Sequence, residues 1–367
     1  MRIAILIGHF PPGGFGGAEI QAERWAERLS HRHDVVVVTR RDPPTQQAFE
    51  QRERYSVIRL PVSRVPVWRT IADIGAIERT VAAMMPRPDV LLCFQTFLSG
   101  FVGARLQQRL GVPAIVWIRG EAEYRFEQSR VHRWVGPWAW QQATGVLVQS
   151  EANRSGLLAA LEALDRARAA VVARKLEVVG NGVELPALVT PPGRTVLTVG
   201  RLIPDKGIDL VIDAAAAERV PLVVVGDGPE RAALEARARA LGSDCRFEGF
   251  VSRERIAELY RDAGVLVLAA RRGEGLPNVL LEAMAHGRPV IATACAGTTD
   301  LLVDGVTGRV VEVEDVAGLR AALAELRDDA GRAVRWGTRA REMAAASSWD
   351  HWQAELDRVL ARWTEVR

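Results

Sequence analysis

The chain has 367 residues, enough for about two domains, because a single hydrophobic core stops growing at roughly 250 to 300 residues. Its 48% hydrophobic and 25% charged residues are those of an ordinary globular protein, and no apolar run approaches the roughly 18 residues that a membrane span needs. The net charge of +3 divides unevenly, residues 1–190 holding 24 basic and 18 acidic side chains against 24 and 27 in the remainder, and without a dense lysine patch or a recognised module this speaks against a nucleic-acid binder.

The opening segment, residues 1–8, is one apolar strand long and lacks the small-residue cleavage pattern of a signal peptide, so it reads as a buried first strand. Short apolar strands then alternate with helical patterns at 35–39, 90–93, 114–118 and 145–149, the last followed by Ser150 as a helix cap. This is the grammar of a parallel sheet with helices on both faces. After a strand at 176–179 comes Asn181-Gly182, then a loop containing Pro191-Pro192, and the same grammar restarts at 195–199. It continues at 222–225, 246–249, 265–269, 290–293 and 309–311. The expectation is an α/β protein of two tandem, Rossmann-like doubly wound domains, residues 1–190 and 191–348, with a last helix at about 349–367. Ligands of such sheets bind beyond the carboxyl ends of the strands, so an interdomain cleft is the default site. Three scattered cysteines, Cys93, Cys245 and Cys295, form no metal spacing or disulfide framework and suit a reducing cytosol.

Two segments carry the chemistry of the second half. Gly200-Arg201-Leu202-Ile203-Pro204-Asp205-Lys206-Gly207 follows a strand and presents two cations, and Lys206 is one of only two lysines in a chain otherwise rich in arginine. A compact ammonium and a planar guanidinium can divide the oxygens of a diphosphate between them. Further on, Glu274 and Glu282 bracket Gly275-Leu276-Pro277-Asn278-Val279-Leu280-Leu281. Pro277 suits a first helical position, Gly287 the position past the end, and Pro289 forbids continuation, which predicts a helix from about 277 to 286. Glu274 then precedes the helix, Glu282 lies in its second turn, and the free N–H groups of residues 276–279 attract phosphate or sugar oxygens. Glu282 suits a ribose diol and Glu274 a hexose hydroxyl. Two carboxylates could instead be the acid and base of a glycosidase, but the 200–207 loop asks for a phosphate that a hydrolase does not need.

In the first half, Pro11-Pro12-Gly13-Gly14-Phe15-Gly16-Gly17-Ala18-Glu19 follows the first strand and opens a helix. It fails the dinucleotide fingerprint, since Glu19 stands where a third glycine belongs and the second strand ends in Thr39-Arg40-Arg41 with no acid for a ribose. Gly16 and Gly17 let backbone approach a ligand closely. Nearby, His9 follows the first strand and faces the same side. Gly226-Asp227-Gly228-Pro229 and Phe247-Glu248-Gly249-Phe250-Val251-Ser252 are strand-to-helix turns whose backbone could hold a base, with Ser252 a cap. Arg52, Arg54, Arg59, Arg64 and Arg69 surround Trp68, and Arg125, Arg130 and Arg133 lead into Trp134, Trp138 and Trp140; this reads either as a solvated face with core tryptophans or as a surface for an anionic acceptor or a membrane.

These segments, in this order, resemble the retaining glycosyltransferases of GT-B fold, the family 4 or group 1 type, over nearly the whole chain. The resemblance is strongest from residue 199 to 308, and Asn181-Gly182-Val183 and Gly16-Gly17-Ala18-Glu19 match more weakly. It implies transfer of a hexose from a nucleotide-diphosphate sugar to a glycan, lipid-linked or small-molecule acceptor, the donor being a substrate and no metal or cofactor being needed. It also implies that Arg201 and Lys206 hold the diphosphate, Glu282 the ribose, Glu274 and the amides of residues 275–279 the sugar and phosphate, and backbone near Val251 the base. The C-terminal helix would pack back on the first domain. Where many relatives place a histidine after the fourth strand, this chain reads Trp117-Ile118-Arg119-Gly120-Glu121, so Arg119 and Glu121 join His9 as acceptor-side candidates; Arg119 can orient an anion but cannot act as a base. A nucleotide-sugar epimerase of the same fold and a non-catalytic nucleotide-sugar binder are the competing readings. The setting expected is cytoplasmic, with peripheral contact of the basic half on the inner face of the membrane.

Overall fold

The protein, seen here in a computed structural model, is described over residues 1–12, 16–62, 66–126, 130–272, 275–295 and 297–364. Two compact units make up the chain: Met1–Gly180 together with Trp352–Arg367, and Asn181–His351.

The first unit is built on strands β1 (Arg2–Leu6), β2 (Asp34–Arg41), β3 (Phe49–Gln51), β4 (Tyr55–Pro61), β5 (Val90–Phe94), β6 (Ala114–Trp117), β7 (Gly145–Val148) and β8 (Leu176–Val178). They form one sheet in the order β3-β4-β2-β1-β5-β6-β7-β8, all parallel except β3, which pairs antiparallel with β4. Helices α1 (Gly17–Leu29), α2 (Pro66–Ala82), α3 (Phe101–Leu110), α4 (Arg130–Gln142), α5 (Glu151–Leu164) and α6 (Arg166–Ala173) complete it. The central strands are buried along their whole length, as strands covered by helices on both faces must be. Ser150 caps α5, its hydroxyl accepting from the Asn153 amide at 3.1 Å.

Strands β3 and β4 escape the sequence pattern because Arg59 stands at an inward position of β4. Tyr55, Val57 and Arg59 alternate toward the core, and Arg59 is only 2% exposed, its guanidinium pairing with Glu50 at 2.6 Å and donating to the Pro11 carbonyl at 2.9 Å. Arg52 donates to the same carbonyl at 3.0 Å and pairs with Glu23 and Glu50. These two arginines therefore leave the basic surface cluster and serve as buried anchors of the segment after β1. Arg64 lies outside the described residues, as do the side chains of Trp68, Arg69 and Arg130. The tryptophans divide too: Trp140 is buried and donates to Thr96 at 3.0 Å, whereas Trp134 is 70% exposed. Among the described residues no helix is long and apolar enough to cross a membrane.

The second unit is a six-stranded parallel sheet of β9 (Thr195–Val199), β10 (Leu222–Val225), β11 (Cys245–Gly249), β12 (Ala263–Leu268), β13 (Val290–Thr293) and β14 (Gly308–Val311), in the order β11-β10-β9-β12-β13-β14. Helices α7 (Ile208–Glu218), α8 (Arg231–Ala240), α9 (Arg253–Asp262), α10 (Asn278–Ala285), α11 (Val316–Asp328) and α12 (Ala330–Ala345) cover it, with a separate apolar cluster against each face. The strand order reverses between β9 and β12 here and between β1 and β5 in the first unit. Such switch points open a crevice beyond the carboxyl ends of the strands.

The division falls at Gly180, about ten residues ahead of the Pro191-Pro192 loop where the sequence suggests it. Hydrogen bonds explain the difference. Residues 181–191 are wired to the second unit: Val183 pairs with Ser348, the Thr190 hydroxyl donates to Arg261, Arg341 donates to the Pro186 carbonyl, and the fully buried Arg288 donates to the carbonyls of Thr190, Pro191, Ala263 and His286. Helix α13 (Trp349–Thr364) belongs to the first unit from Trp352 onward. There Asp357 pairs with Arg32 at 2.9 Å, Arg362 with Glu177 at 2.5 Å, and the Trp363 ring occupies the space a side chain at Gly145 would need.

Candidate functional site

The loops after β9 and β10 lie against each other at the carboxyl edge of the second sheet. Gly200 donates to the Val225 carbonyl and Leu202 to that of Asp227, both at 3.0 Å. A Cβ at Gly226, whose φ of 125° already suits glycine, would strike the Gly200 carbonyl, and one at Gly228 would strike that of Leu202. With Leu202 as the buried anchor, Arg201 is left exposed and Lys206 partly exposed in a turn that ends at the left-handed Gly207, before α7 begins.

A residue with no signal in the sequence holds that turn. Arg271, just past β12, forks onto Asp209 at 2.8 and 2.7 Å, donates to the Pro204 carbonyl at 2.7 Å and pairs with Glu314; its amide donates to the Asp205 carbonyl at 2.9 Å. Burial opposes ionisation of Asp209, yet the hydrogen bonds and charge of Arg271 prevail and hold its carboxyl below the usual range. The cation-bearing turn is thus clamped to the loop across the switch point.

Across that crevice lies α10. Pro277 is its N-cap, in extended conformation, and the first helical residue is Asn278, so the helix is one residue shorter at each end than the sequence suggests. The Pro277 carbonyl accepts from Leu280 at 3.1 Å, and Gly287 ends the helix with a φ of 70°. Glu274 lies outside the described residues; Gly275, Leu276, Pro277, Asn278 and Val279 are described and lead into the helix. The second-unit residue Asn181 fixes this entry: buried, it donates from Nδ2 to the Leu276 carbonyl at 2.9 Å and to Asn278 Oδ1 at 2.6 Å. Glu282 lies one turn on, its Oε2 accepting from the Tyr260 hydroxyl at 2.8 Å. Val251 follows β11, beyond the left-handed Gly249 whose carbonyl accepts from Gly226, and Ser252 caps α9. The structure therefore gathers Arg201, Lys206, residues 275–279, Glu282 and Val251 along the carboxyl edge of one sheet. Tyr260 and Arg271 are supporting residues that sequence reading passes over, and Asn181, noted there only within the Asn181-Gly182-Val183 match, is a third.

In the first unit, His9 is half-buried just past β1, and Gly16 is the N-cap of α1, where a side chain would meet the carboxylate of Glu19. Beyond β6 the Arg119 guanidinium lies over the rings of Phe94 and Trp117, 5.4 and 5.1 Å from their centroids. Burial pushes it down to about 10, against the charges of Glu123 and Glu19, so it stays cationic at neutral pH. Glu121 does not join Arg119; it pairs with Arg125 at 2.8 Å. Instead Glu123, which sequence reading misses, accepts from the backbone amides of Arg119 and Thr96, both at 2.6 Å, and burial pushes its carboxyl up in spite of those bonds. His9, Gly16, Gly17 and Arg119 share the carboxyl edge of the first sheet. Among the described residues no cluster of His, Cys, Asp and Glu has the makings of a metal site.

Two doubly wound sheets, parallel except for the edge strand β3 and each with its loops of interest at the carboxyl edge, are the architecture of the GT-B fold. The sequence matches the family model "Glycosyl transferases group 1" over residues 188–343 and that of a "Glycosyl transferase 4-like domain" over residues 16–175. A GDP-mannose-dependent alpha-mannosyltransferase of Mycobacterium tuberculosis is 26% identical over 381 residues, covering 100% of this chain and 97% of its own. A D-inositol 3-phosphate glycosyltransferase of Acidothermus cellulolyticus is 28% identical, covering 98% and 89%. Among solved structures, a sucrose-phosphate synthase from Thermosynechococcus elongatus matches with a TM-score of 0.86 at 22% identity over 100% of both chains. The chain belongs to the GT-B glycosyltransferases of family 4, the group 1 type. It is a hexosyltransferase, moving a sugar from a nucleotide sugar to an acceptor.

Proposed function

We propose that this glycosyltransferase transfers a hexose with retention of anomeric configuration, without a metal ion, from a nucleotide-diphosphate sugar to a hydroxyl of a glycan or lipid-linked acceptor. The names of its mannosyltransferase relatives make GDP-mannose the first donor to test. The observation that carries the reading is that the two cations of the 201–206 turn and the amide-bearing entry to α10 flank the switch point of one sheet, with Glu282 one turn further on.

In this reading Arg201 and Lys206 neutralise the diphosphate and the amides of residues 275–279 take the distal phosphate and sugar oxygens. Glu282 accepts from the ribose hydroxyls, Glu274 from a hexose hydroxyl, and backbone near Val251 receives the base. The anomeric carbon–phosphate oxygen bond breaks as the acceptor oxygen bonds to the same face, and the acceptor proton passes to the departing phosphate oxygen. Stabilising that leaving diphosphate with prealigned donors supplies the catalysis, so Arg201, Lys206 and Glu274 are the catalytic set. Gly16 and Gly17 are the donor-binding candidates of the first unit, and His9, Arg119 and Glu121 are its acceptor-side candidates. A peripheral setting at a membrane surface fits the exposed Trp134 and a lipid-linked acceptor.

The test is a panel of nucleoside-diphosphate sugars screened by thermal stabilisation and then by transfer. A saturating donor at 100 times its Kd adds about 2.7 kcal/mol. Stabilisation by one donor that vanishes in Lys206→Ala supports the reading, and a panel without a hit overturns it.

A further inference from the structure

We propose that Tyr260 is a positioning residue for the donor ribose, acting through Glu282. The inference rests on the reading of Glu282 as the ribose acceptor and deepens it.

Two different anchors hold Glu282. Its side chain takes the Tyr260 hydroxyl at 2.8 Å, while its backbone carbonyl accepts from the His286 amide at 3.2 Å and lies 2.8 Å from His286 Nδ1. Tyr260 and His286 in turn pack together, ring centroids 5.4 Å apart, and Tyr260 is 1% exposed where Glu282 is partly exposed. One end of the assembly is therefore buried, and the other is a partly exposed glutamate. Burial, and then the charge of Glu282, push the phenol far above its ordinary range, so the hydroxyl remains a donor at every physiological pH.

A carboxylate that chelates a vicinal diol must hold both oxygens in one plane relative to the sugar. On a glutamate, three side-chain torsions work against that, and ordering them costs binding energy. A donor fixed in the core at Oε2 restricts the carboxylate plane before the ligand arrives. The phenol reaches from α9 to the second turn of α10 and donates to the carboxylate without adding charge. The contribution is to donor affinity and to the choice of ribose over deoxyribose, while bond breaking at the anomeric carbon lies at the far end of the diphosphate.

The experiment measures binding of GDP and 2′-deoxy-GDP, with UDP and its 2′-deoxy form in parallel, by calorimetry on the full chain and on its Tyr260→Phe, Glu282→Gln and double variants. Thermal unfolding checks that each is folded; Tyr260→Phe keeps the ring and its packing. The expected result is about tenfold weaker ribonucleotide binding in Tyr260→Phe, a narrowed ratio of ribo- to deoxyribonucleotide affinity, and no further change on adding Tyr260→Phe to Glu282→Gln. In turnover, the donor KM rises while kcat stays within about twofold. If Glu282→Gln narrows the ratio and Tyr260→Phe leaves it unchanged, the positioning role is overturned and the ribose reading stands. If the ratio survives Glu282→Gln, both are overturned.

Discussion

Arg271 and Asp209 meet in a two-pronged ion pair, Nη1 to Oδ1 at 2.8 Å and Nη2 to Oδ2 at 2.7 Å, and the same guanidinium reaches the Pro204 carbonyl. With Nε on Glu314 the planar fork serves four acceptors, one more than the three N–H groups of an ammonium can reach. Arg271→Lys should therefore raise the donor KM about tenfold through loss of the Lys206 turn, with the fold retained. Acid provides the second readout. The folded Asp209 carboxyl titrates below its unfolded value of about 3.9, so the stabilisation is complete above that pH and is lost as pH falls through the folded value. Arg271→Met should flatten the stability loss below about pH 4, as read by urea unfolding; an unchanged acid limb counts against the pair.

Glu123 behaves in the opposite sense. Its two carboxylate oxygens serve the amides of Thr96 and Arg119, and Glu123→Ala should cost about 1–3 kcal/mol by leaving these part-buried donors unpaired. Because burial raises its folded value above the unfolded one, its ionisation opposes folding, and stability from this group grows as pH falls toward about 4.3. Denaturant midpoints of wild type and Glu123→Ala between pH 5 and pH 8 should converge toward the alkaline end.

Asn181 sits at the entry of α10 as a buried amide that donates to the Leu276 carbonyl and to Asn278 Oδ1, both in the segment that would greet the phosphate. Asn181→Ala is expected to lower kcat/KM by about 10- to 100-fold while costing only about 1–3 kcal/mol of stability. Asn181→Asp should be worse than Asn181→Ala for donor binding, since it brings a negative charge toward the diphosphate. Equal donor KM values in the two variants would sink the electrostatic part of this argument.

The strands along which the site is strung are legible in the sequence because a parallel strand buried on both faces is a plain apolar run, as in residues 3–6, 90–94 and 290–293. Helix α10 is legible too, from Pro277 and Gly287. Strand β4 is not, since its inward Arg59 reads as surface charge until the Pro11 carbonyl and Glu50 are seen around it. The supporting residues are hidden for a related reason. Arg271 and Asp209 are 62 residues apart, Asn181 and Asn278 97, Tyr260 and Glu282 22, and only the fold makes them neighbours. Sequence motifs reveal the groups that would touch the ligand; those that hold such groups still carry no local pattern.

Charge at the leaving group gives the last prediction. If protein cations and helix amides do the work of a metal ion, their removal must be felt in the rate and chelation must not. Lys206→Ala is expected to cut kcat/KM by about 10²- to 10³-fold, the cost of losing one prealigned donor to a developing charge. Arg201, exposed at the start of the turn, should cost less as Arg201→Lys than as Arg201→Ala, because the charge survives even where the fork is lost. Neither change touches the buried Leu202 and Ile208 that seat the turn, so melting temperatures should stay within about 2 °C of wild type. EDTA should leave turnover unchanged in wild type and in both variants. A wild-type enzyme silenced by EDTA and restored by a divalent cation would move the burden of the diphosphate from Arg201 and Lys206 to a metal.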